Sequence, residues 1–470
     1  MAFLSYTALI LSATAFLILH LAIKKCLVTR SYHIQNAQRR CNPPPYIPGW
    51  GITRLLDAMK ASREDRMPQY VVSLLDSVGP SVHTIDARML TDKLTVTRDP
   101  ANVEAIFAGQ AADFDIGPNR ENSFKPLLGV GVTTARGEKW KHGRALLRPQ
   151  FSREQISDLG VEERHVRAML EVLEGKVAGD DGWTGGFDLQ PILSHLTHKV
   201  AIEMLYGEGV NVSGDVTSGE FSRHLDAGKS WLYERMMMGK FGWLFGSSAF
   251  RGHCKAVHAF VDGIVETRTR SGDFKLNEKE EVVSGKNFVF LDELSKHTQD
   301  PLELRNETLH VLSASWDTTA ALIGWVFYFL ARNTQVHRKL RAEIETAFAD
   351  GITFANLRDC HYLNDTINEA FRCAGVIPVI ERMTTRDTTL PQGGGATGQD
   401  SIYLPKDSRV LISTYGMQMR SDIWGNDPEG FSPERWFGRK AGYEFVPFAG
   451  GPRKCIGRNF ALISANGDTC

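Results

Sequence analysis

The sequence predicts a mainly α-helical domain with a minor β-sheet region, preceded by one membrane-spanning helix. Two observations carry that reading. Ala2 to Ile23 is an almost uninterrupted apolar run, about the length that crosses a bilayer as a helix. Beyond it, long apolar patterns at helical spacing recur as far as Cys373, whereas short alternating runs are confined to residues 82–98 and 383–412.

The chain's 470 residues are enough for one large domain with a sizeable core. A net charge of −1 gives no overall pull towards nucleic acid. The seven cysteines, Cys26, Cys41, Cys254, Cys360, Cys373, Cys455 and Cys470, are sparse and show no CxxC spacing. That argues against a disulfide framework or a zinc site, and for a reducing compartment around the globular part.

The apolar run is interrupted only by small or mildly polar residues such as Ser5, Thr7, Ser12, Thr14 and His20. No basic side chain precedes it, and Lys24, Lys25, Arg30, Arg39 and Arg40 follow. That asymmetry predicts an uncleaved signal anchor with the bulk of the protein in the cytosol. A cleaved signal peptide carries its charge at the other end. Pro43-Pro44-Pro45-Tyr46-Ile47-Pro48-Gly49 is stiff, extended and unable to enter a helix. The expected organisation is therefore an anchor over 1–23, a basic and proline-rich hinge over 24–49, and one domain over 50–470.

Within the domain, helices are expected at 68–78, 138–148, 152–175, 189–206, 218–239, 248–270, 301–332, 334–348 and 361–373. Residues 109–137, rich in Gly, Asn, Asp and Pro, predict a long irregular loop, and 271–286 an exposed polar connection. The 301–332 helix opens on Pro301, which suits a first turn, and is apolar nearly all round in its second half, which predicts burial.

The chemistry centres on Phe448-Ala449-Gly450-Gly451-Pro452-Arg453-Lys454-Cys455-Ile456-Gly457. Two glycines and a proline allow a tight turn whose N–H groups can face the sulfur and favour its anion, with Arg453 adding positive charge. A thiolate so held can be an axial ligand of haem iron. The alternative for a lone cysteine is a buried structural thiol. In the long helix, Ala314-Ser315-Trp316-Asp317-Thr318-Thr319 places an acid beside two hydroxyls in apolar surroundings, which is costly unless used; the alternative is an exposed Asp with back-bonded threonines. A carboxylate linked to water beside a hydroxyl can relay the two protons that splitting O₂ requires. Trp140 and Arg144 stand at i and i+4 on one helix face, and both are donors only, a match for a carboxylate. Glu369 and Arg372 stand at i and i+3 on another.

In that order these motifs resemble the cytochrome P450 monooxygenases. The resemblance implies a P450 fold binding haem b (iron protoporphyrin IX). Cys455 would be the axial iron ligand, within a loop marked by Phe448, Gly451 and Gly457. Trp140, Arg144, Arg382 and Arg453 would hold the haem propionates, and Asp317 and Thr318 would be the acid–alcohol pair. Glu369, Arg372 and Arg435 would form a structural network. Val376, Ile377, Val379 and Ile380 would line the substrate pocket. It also implies O₂ as co-substrate, and electrons from NADPH through a flavoprotein reductase, the NADPH–cytochrome P450 reductase, with cytochrome b5 as a further donor. The location implied is the endoplasmic reticulum membrane, single-pass, with the catalytic domain facing the cytosol. Lys139, Lys141, Arg148, Lys454 and Arg458 would offer a basic docking face. Arg386-Asp387-Thr388-Thr389-Leu390-Pro391, the glycines 393–395 and Asp422-Ile423-Trp424-Gly425 are similar to fungal microsomal n-alkane and fatty-acid ω-hydroxylases.

The sequence departs from the family at three places. Ser315 stands where Gly is usual. Cys373-Ala374-Gly375 replaces a large residue and a proline, which predicts a looser helix end. After Cys455 the helix 459–465 is expected to break at Asn466-Gly467, where the family continues it and adds a β-hairpin; the missing part predicts a less stable domain and poor haem retention. The rival readings are a reductase-independent haem-thiolate hydroperoxide isomerase, a haem-binding protein without turnover, and an inactive truncated product. The acid–alcohol pair argues against the first.

Overall fold

The computed structural model describes residues 2–49, 51–90, 92–152, 155, 157–176, 184–207, 218–270, 289–395 and 397–469. The polar connection expected over 271–286 lies outside them, as does Cys470.

An N-terminal helix runs over Ala2–Gln38, and among the described residues it alone is long and apolar enough to cross a membrane. It outlasts the apolar run. The stretch expected to start the hinge is helical as far as Gln38, because Lys and Arg are good helix formers and no proline occurs before Pro43. Its end is seated on the domain. The Tyr32 ring lies 5.8 Å from that of Tyr403, Lys93 Nζ donates to Tyr32 OH at 3.3 Å, and Asn36 is buried. The proline run is extended, as expected, and laid along the sheet. Asn42 N–H donates to Ser401 O at 3.0 Å, Asp86 N–H to Pro45 O at 2.8 Å and Ile47 N–H to Asp86 O at 2.9 Å. Proline lacks a donor, but its carbonyl still accepts.

Five strands form one sheet in the order β1-β2-β7-β4-β3: β1 Thr84–Met89, β2 Asp92–Thr97, β3 Phe114–Asp115, β4 Val379–Thr384 and β7 Arg409–Ser413. Only β2 and β7 pair in parallel. A separate hairpin joins β5 Thr388–Gly394 to β6 Asp400–Leu404.

Helices occupy most of the rest, close to their expected positions: Met67–Asp76, Gly137–Leu147, Gln190–Tyr206, Ser218–Met237, Ser248–Arg270, Thr334–Ala347 and His361–Ala374. Of the helix expected over 152–175, Gly160–Glu174 is helical, while residues 153, 154 and 156 lie outside the described residues. The core helix is Pro301–Arg332, with Pro301 in its first turn and the Asp300 carboxylate accepting from Leu302 N–H at 2.9 Å. Leu304, Leu312, Ile323 and Val326 along it are buried. Its second half is not buried all round as its composition predicts. Trp325 and Tyr328 are 40% and 47% exposed and pack edge to face at 5.3 Å, while Phe329 stacks on Phe431 at 4.6 Å. Aromatic rings satisfy one another there.

Two further expectations fail. The irregular loop over 109–137 contains a helix, Pro118–Leu128. Gly117 and Pro118 start it, and its inward side is half polar, with Asn119 and Ser123 buried beside Leu127 and Leu128, so it carries no apolar stripe to read. The helix after the cysteine does not break at Asn466-Gly467 but continues over Arg458–Thr469. Ile463, Ser464, Ala465, Asn466 and Asp468 are all buried there, and that packing outweighs a local turn preference.

Candidate functional site

The cysteine loop is held by its own backbone. Cys455 N–H donates to Phe448 O at 2.9 Å, Lys454 N–H to Gly451 O at 3.1 Å and Ala449 N–H to Val446 O at 3.0 Å. Ala449 and Gly451 have φ of 55° and 64°, the left-handed region. A Cβ on Gly451 would lie 1.5 Å from Phe107 O, so only glycine fits. Gly457 is different: a Cβ there would meet Phe151 at 3.6 Å, an ordinary contact. What Gly457 supplies is a backbone N–H to the sulfur. Cys455 is exposed to solvent at the loop's open side. The surrounding protein shell pushes its thiol pKa up, while the Gly457 N–H and the Arg144 and Arg458 guanidiniums act against that rise. Phe448 packs edge-on against Phe371 at 5.1 Å, tying the loop to the His361–Ala374 helix.

That helix carries the predicted network, fully formed. Glu369 and Arg372 are completely buried, joined by bonds of 2.9 Å (Nε to Oε2) and 2.8 Å. Arg435 Nε donates to Glu369 at 3.3 Å, Ser432 N–H at 3.0 Å and Trp436 Nε1 at 3.0 Å. Arg372 also reaches the carbonyls of Gln418, Pro428 and Gly430. Every lone pair of this buried acid is engaged, which is what makes it tolerable. The helix end is not loose: Gly375 caps it in the left-handed region (φ 62°), and Arg372 donates to the buried Cys373 sulfur at 2.9 Å.

Near the cysteine, guanidiniums gather from four segments. Arg144 and Trp140 lie on the Trp–Arg helix (Gly137–Leu147), Arg382 on β4 and Arg453 in the loop itself. Arg453 stacks over Trp140 at 4.3 Å and pairs with Asp115 at 2.5 Å. Arg382 lies over Phe107 at 5.2 Å. Arg120, on the unexpected Pro118–Leu128 helix, joins them, with its Nε donating to Thr133 O at 3.0 Å. Sequence reading missed Arg120 because its stretch carries no motif. Burial pushes Arg382 and Arg453 down to about 10, and neighbouring guanidiniums press the same way: Arg120 and Arg453 on the first, Arg144 and Arg120 on the second. Among the described residues, Arg144 and Arg382 have no ion pair, and Asp115 is the one carboxylate hydrogen-bonded to the group. Such a cluster is costly unless an anion joins it. A group with two carboxylates, held near a cysteine sulfur on an open loop, meets that need, so the residues present fit haem.

On the core helix, Asp317 is half exposed and pairs with Lys229 of the Ser218–Met237 helix at 2.7 Å. Lys229 also lies 4.3 Å above the Trp316 ring, which is buried and 4.3 Å from the His198 ring. The Thr318 hydroxyl donates back to Ala314 O at 2.7 Å, so Asp317 and Thr318 stand as the alternative reading had them, an exposed acid beside a back-bonded threonine, and Ser315 Oγ turns back to Leu312 O at 3.3 Å. The extra hydroxyl of Ser315 is thus spent on its own helix. Val376, Val379 and Ile380 are half-buried and Ile377 is exposed. Lys139, Lys141, Arg148, Lys454 and Arg458 are all exposed, with Lys141 paired to Glu138 at 2.6 Å.

A mainly helical domain with a small sheet, one cysteine on a glycine-shaped loop and a guanidinium cluster close by has the composition of a haem-thiolate protein. A cytochrome P450 family profile matches residues 43–466. The chain is 40% identical to cytochrome P450 monooxygenase g430 of Fusarium sp, over 98% of this chain and 84% of that protein. It is 33% identical to cytochrome P450 monooxygenase alt2 of Alternaria solani, over 97% and 89%. Cytochrome P450 52A3-B of Candida maltosa is 37% identical, over 91% and 84%. The chain belongs to the cytochrome P450 family and is a cytochrome P450 monooxygenase.

Proposed function

We propose that this chain hydroxylates an n-alkane or fatty acid, placing one atom of O₂ in the substrate and the other in water. NADPH would supply the electrons through a flavoprotein reductase. Haem, once bound, supplies the capacity to bind and cleave O₂. Cys455 would be its ligand, and Trp140, Arg144, Arg382 and Arg453, with Arg120 beside them, its carboxylate partners. The observation that carries the reading is the cluster of guanidiniums, short of anions, around Asp115 and near Cys455. Asp317 and Thr318 would pass protons from solvent, which suits an acid that is half exposed.

Support for the substrate class comes from the resemblance to fungal alkane and fatty-acid hydroxylases and from the apolar set Val376, Ile377, Val379 and Ile380. The exposed cations Lys139, Lys141, Arg148, Lys454 and Arg458 would attract an acidic reductase, and cytochrome b5 by the same chemistry. The N-terminal helix, whose apolar run is followed by Lys24 and Lys25, supports single-pass anchoring in the endoplasmic reticulum with the domain on the cytosolic side.

The test is the reduced, CO-bound absorption spectrum of the full chain, followed by NADPH-dependent turnover of a fatty acid with added reductase. A Soret band at the thiolate-ligated position and a hydroxylated product are expected. No haem signal, or conversion of a fatty-acid hydroperoxide without NADPH in place of hydroxylation, would overturn the reading.

A further inference from the structure

The core helix carries a buried polar face that the reading above does not use. Asn306, Glu307 and His310 lie within about one turn of one another, and all three are buried. They meet the loop over residues 129–134 and the Trp–Arg helix, and each fills the space left by one glycine. A Cβ on Gly129 would lie 2.1 Å from Asn306 Oδ1, one on Gly131 2.3 Å from His310 Cδ2, and one on Gly143 2.6 Å from Glu307 Oε1. Hydrogen bonds complete the fit. Val132 N–H donates to Glu307 Oε2 at 3.1 Å. The Thr133 hydroxyl and His310 Nδ1 are 2.5 Å apart, and the Thr134 hydroxyl is 3.4 Å from Nε2. This contact touches the guanidinium cluster on both sides: Thr133 O accepts from Arg120, and Gly143 immediately precedes Arg144.

We propose that Glu307 and His310 are positioning residues for the carboxylate-binding cradle, seating the 129–134 loop and the Trp–Arg helix so that Arg120 and Arg144 stay in register with Arg382 and Arg453. The proposal rests on the haem-thiolate reading of the site. Its physical basis is that four guanidiniums repel one another and that a loop holding two glycines is costly to order. A buried latch on a rigid helix opposes both. The latch works through hydrogen bonds and shape. Burial pushes Glu307 up to about 7 and His310 down to about 3, so the imidazole is neutral at pH 7. The charged groups facing Glu307 are Glu303 on its own helix and His142 on the Trp–Arg helix; Arg120 faces His310.

The experiment compares the full chain with Gly143→Ala, His310→Ala, Glu307→Ala, Glu307→Gln and the double variant Gly143→Ala/Glu307→Ala. The first measurement is the rate of haem loss to excess apomyoglobin, set against loss of haem dimethyl ester, which lacks the carboxylate charges. Gly143→Ala and His310→Ala should release haem on the order of 10-fold faster while leaving ester loss unchanged. Glu307→Gln keeps an acceptor for Val132 N–H and should retain haem as the wild type does. Adding Gly143→Ala to Glu307→Ala should cause no further loss, because the clashing carboxylate is gone. Equal acceleration for haem and ester would reduce these residues to a purely structural role and overturn the proposal. So would unchanged haem loss in Gly143→Ala. A wild-type chain that takes up no haem removes the cofactor reading and this proposal with it. Hydrogen exchange at the Val132 amide then separates the two failures: protection lost in Glu307→Ala means that the latch exists and the cofactor reading is wrong.

Discussion

At the scale of single residues, the site shows how much a position depends on what faces it. Asp317 looked costly as an acid in an apolar helix. Its cost is met by Lys229, which is itself spread between the Asp317 carboxylate at 2.7 Å and the Trp316 ring at 4.3 Å. A carboxylate at a half-exposed position can exchange protons with water, whereas an amide cannot. Asp317→Asn should therefore lower turnover by on the order of 10²-fold. Haem content and the CO-bound spectrum should stay as in the wild type, since Asp317 does not touch the cysteine loop. Steady-state product formation alongside the spectrum measures both, and undiminished turnover would remove Asp317 from the proton route. Ser315 is the converse case. Its hydroxyl is an unexpected polar group that bonds to Leu312 O and so adds little to its surroundings.

At the scale of elements, the His361–Ala374 helix is the clearest joint in the molecule. One carboxylate, Glu369, accepts from Arg372, Arg435, Ser432 and Trp436, and so ties this helix to the segment ahead of the cysteine loop. Phe371, two residues along, packs on Phe448 in that loop. Glu369→Ala would leave two guanidiniums without their counter-charge in a buried place, at about 3–5 kcal/mol. Urea unfolding should show that loss, and the variant should be recovered largely free of haem. A loss below about 1 kcal/mol would mean that the network contributes no more than a surface ion pair. The Pro118–Leu128 helix is the element hardest to find from sequence. Its residues have turn-like composition, and only the burial of Asn119 and Ser123 beside Leu127 explains the fold they adopt. Arg120 was lost to sequence reading with it.

At the scale of the whole molecule, stability should depend on pH through a pair of buried acids that join the Gly160–Glu174 helix to the last helix. Glu162, on the Gly160–Glu174 helix, accepts from the Ser464 hydroxyl, and Asp468 is buried near it. Burial pushes Glu162 up to about 7 from an ordinary 4.5; Ser464 opposes the rise and Asp158 adds to it. Asp468 is raised as well, first by burial and then by Glu162. The sign follows from the direction. Below about pH 4.5 the carboxyl is protonated in both states and costs nothing. As pH climbs to 7 and beyond, the unfolded chain ionises freely while the folded one resists, so stability falls by on the order of 3 kcal/mol. Glu162→Gln should flatten the pH dependence of the melting temperature between pH 5 and 8, with its gain over wild type largest at pH 8. Parallel curves for the two proteins would show that this acid does not titrate in that range.

The sequence by itself determined the plan: the apolar N-terminal helix, the long helices, the cysteine loop and the spacing of the Trp–Arg and Glu–Arg pairs. These are features whose physics is local. A left-handed glycine, a helical repeat or a donor pair at i and i+4 is written in neighbouring residues and needs no distant partner to be recognised. Only the tertiary structure decided the rest. It brought Arg120 to the other guanidiniums, set Lys229 against Asp317, interlocked Glu307 and His310 with Gly143 and Gly131, and carried the last helix through Asn466-Gly467 to Thr469. Each of these depends on burial and on contacts between segments far apart in the chain. There the cost of leaving a polar group unpaired, or a space unfilled, outweighs any local preference.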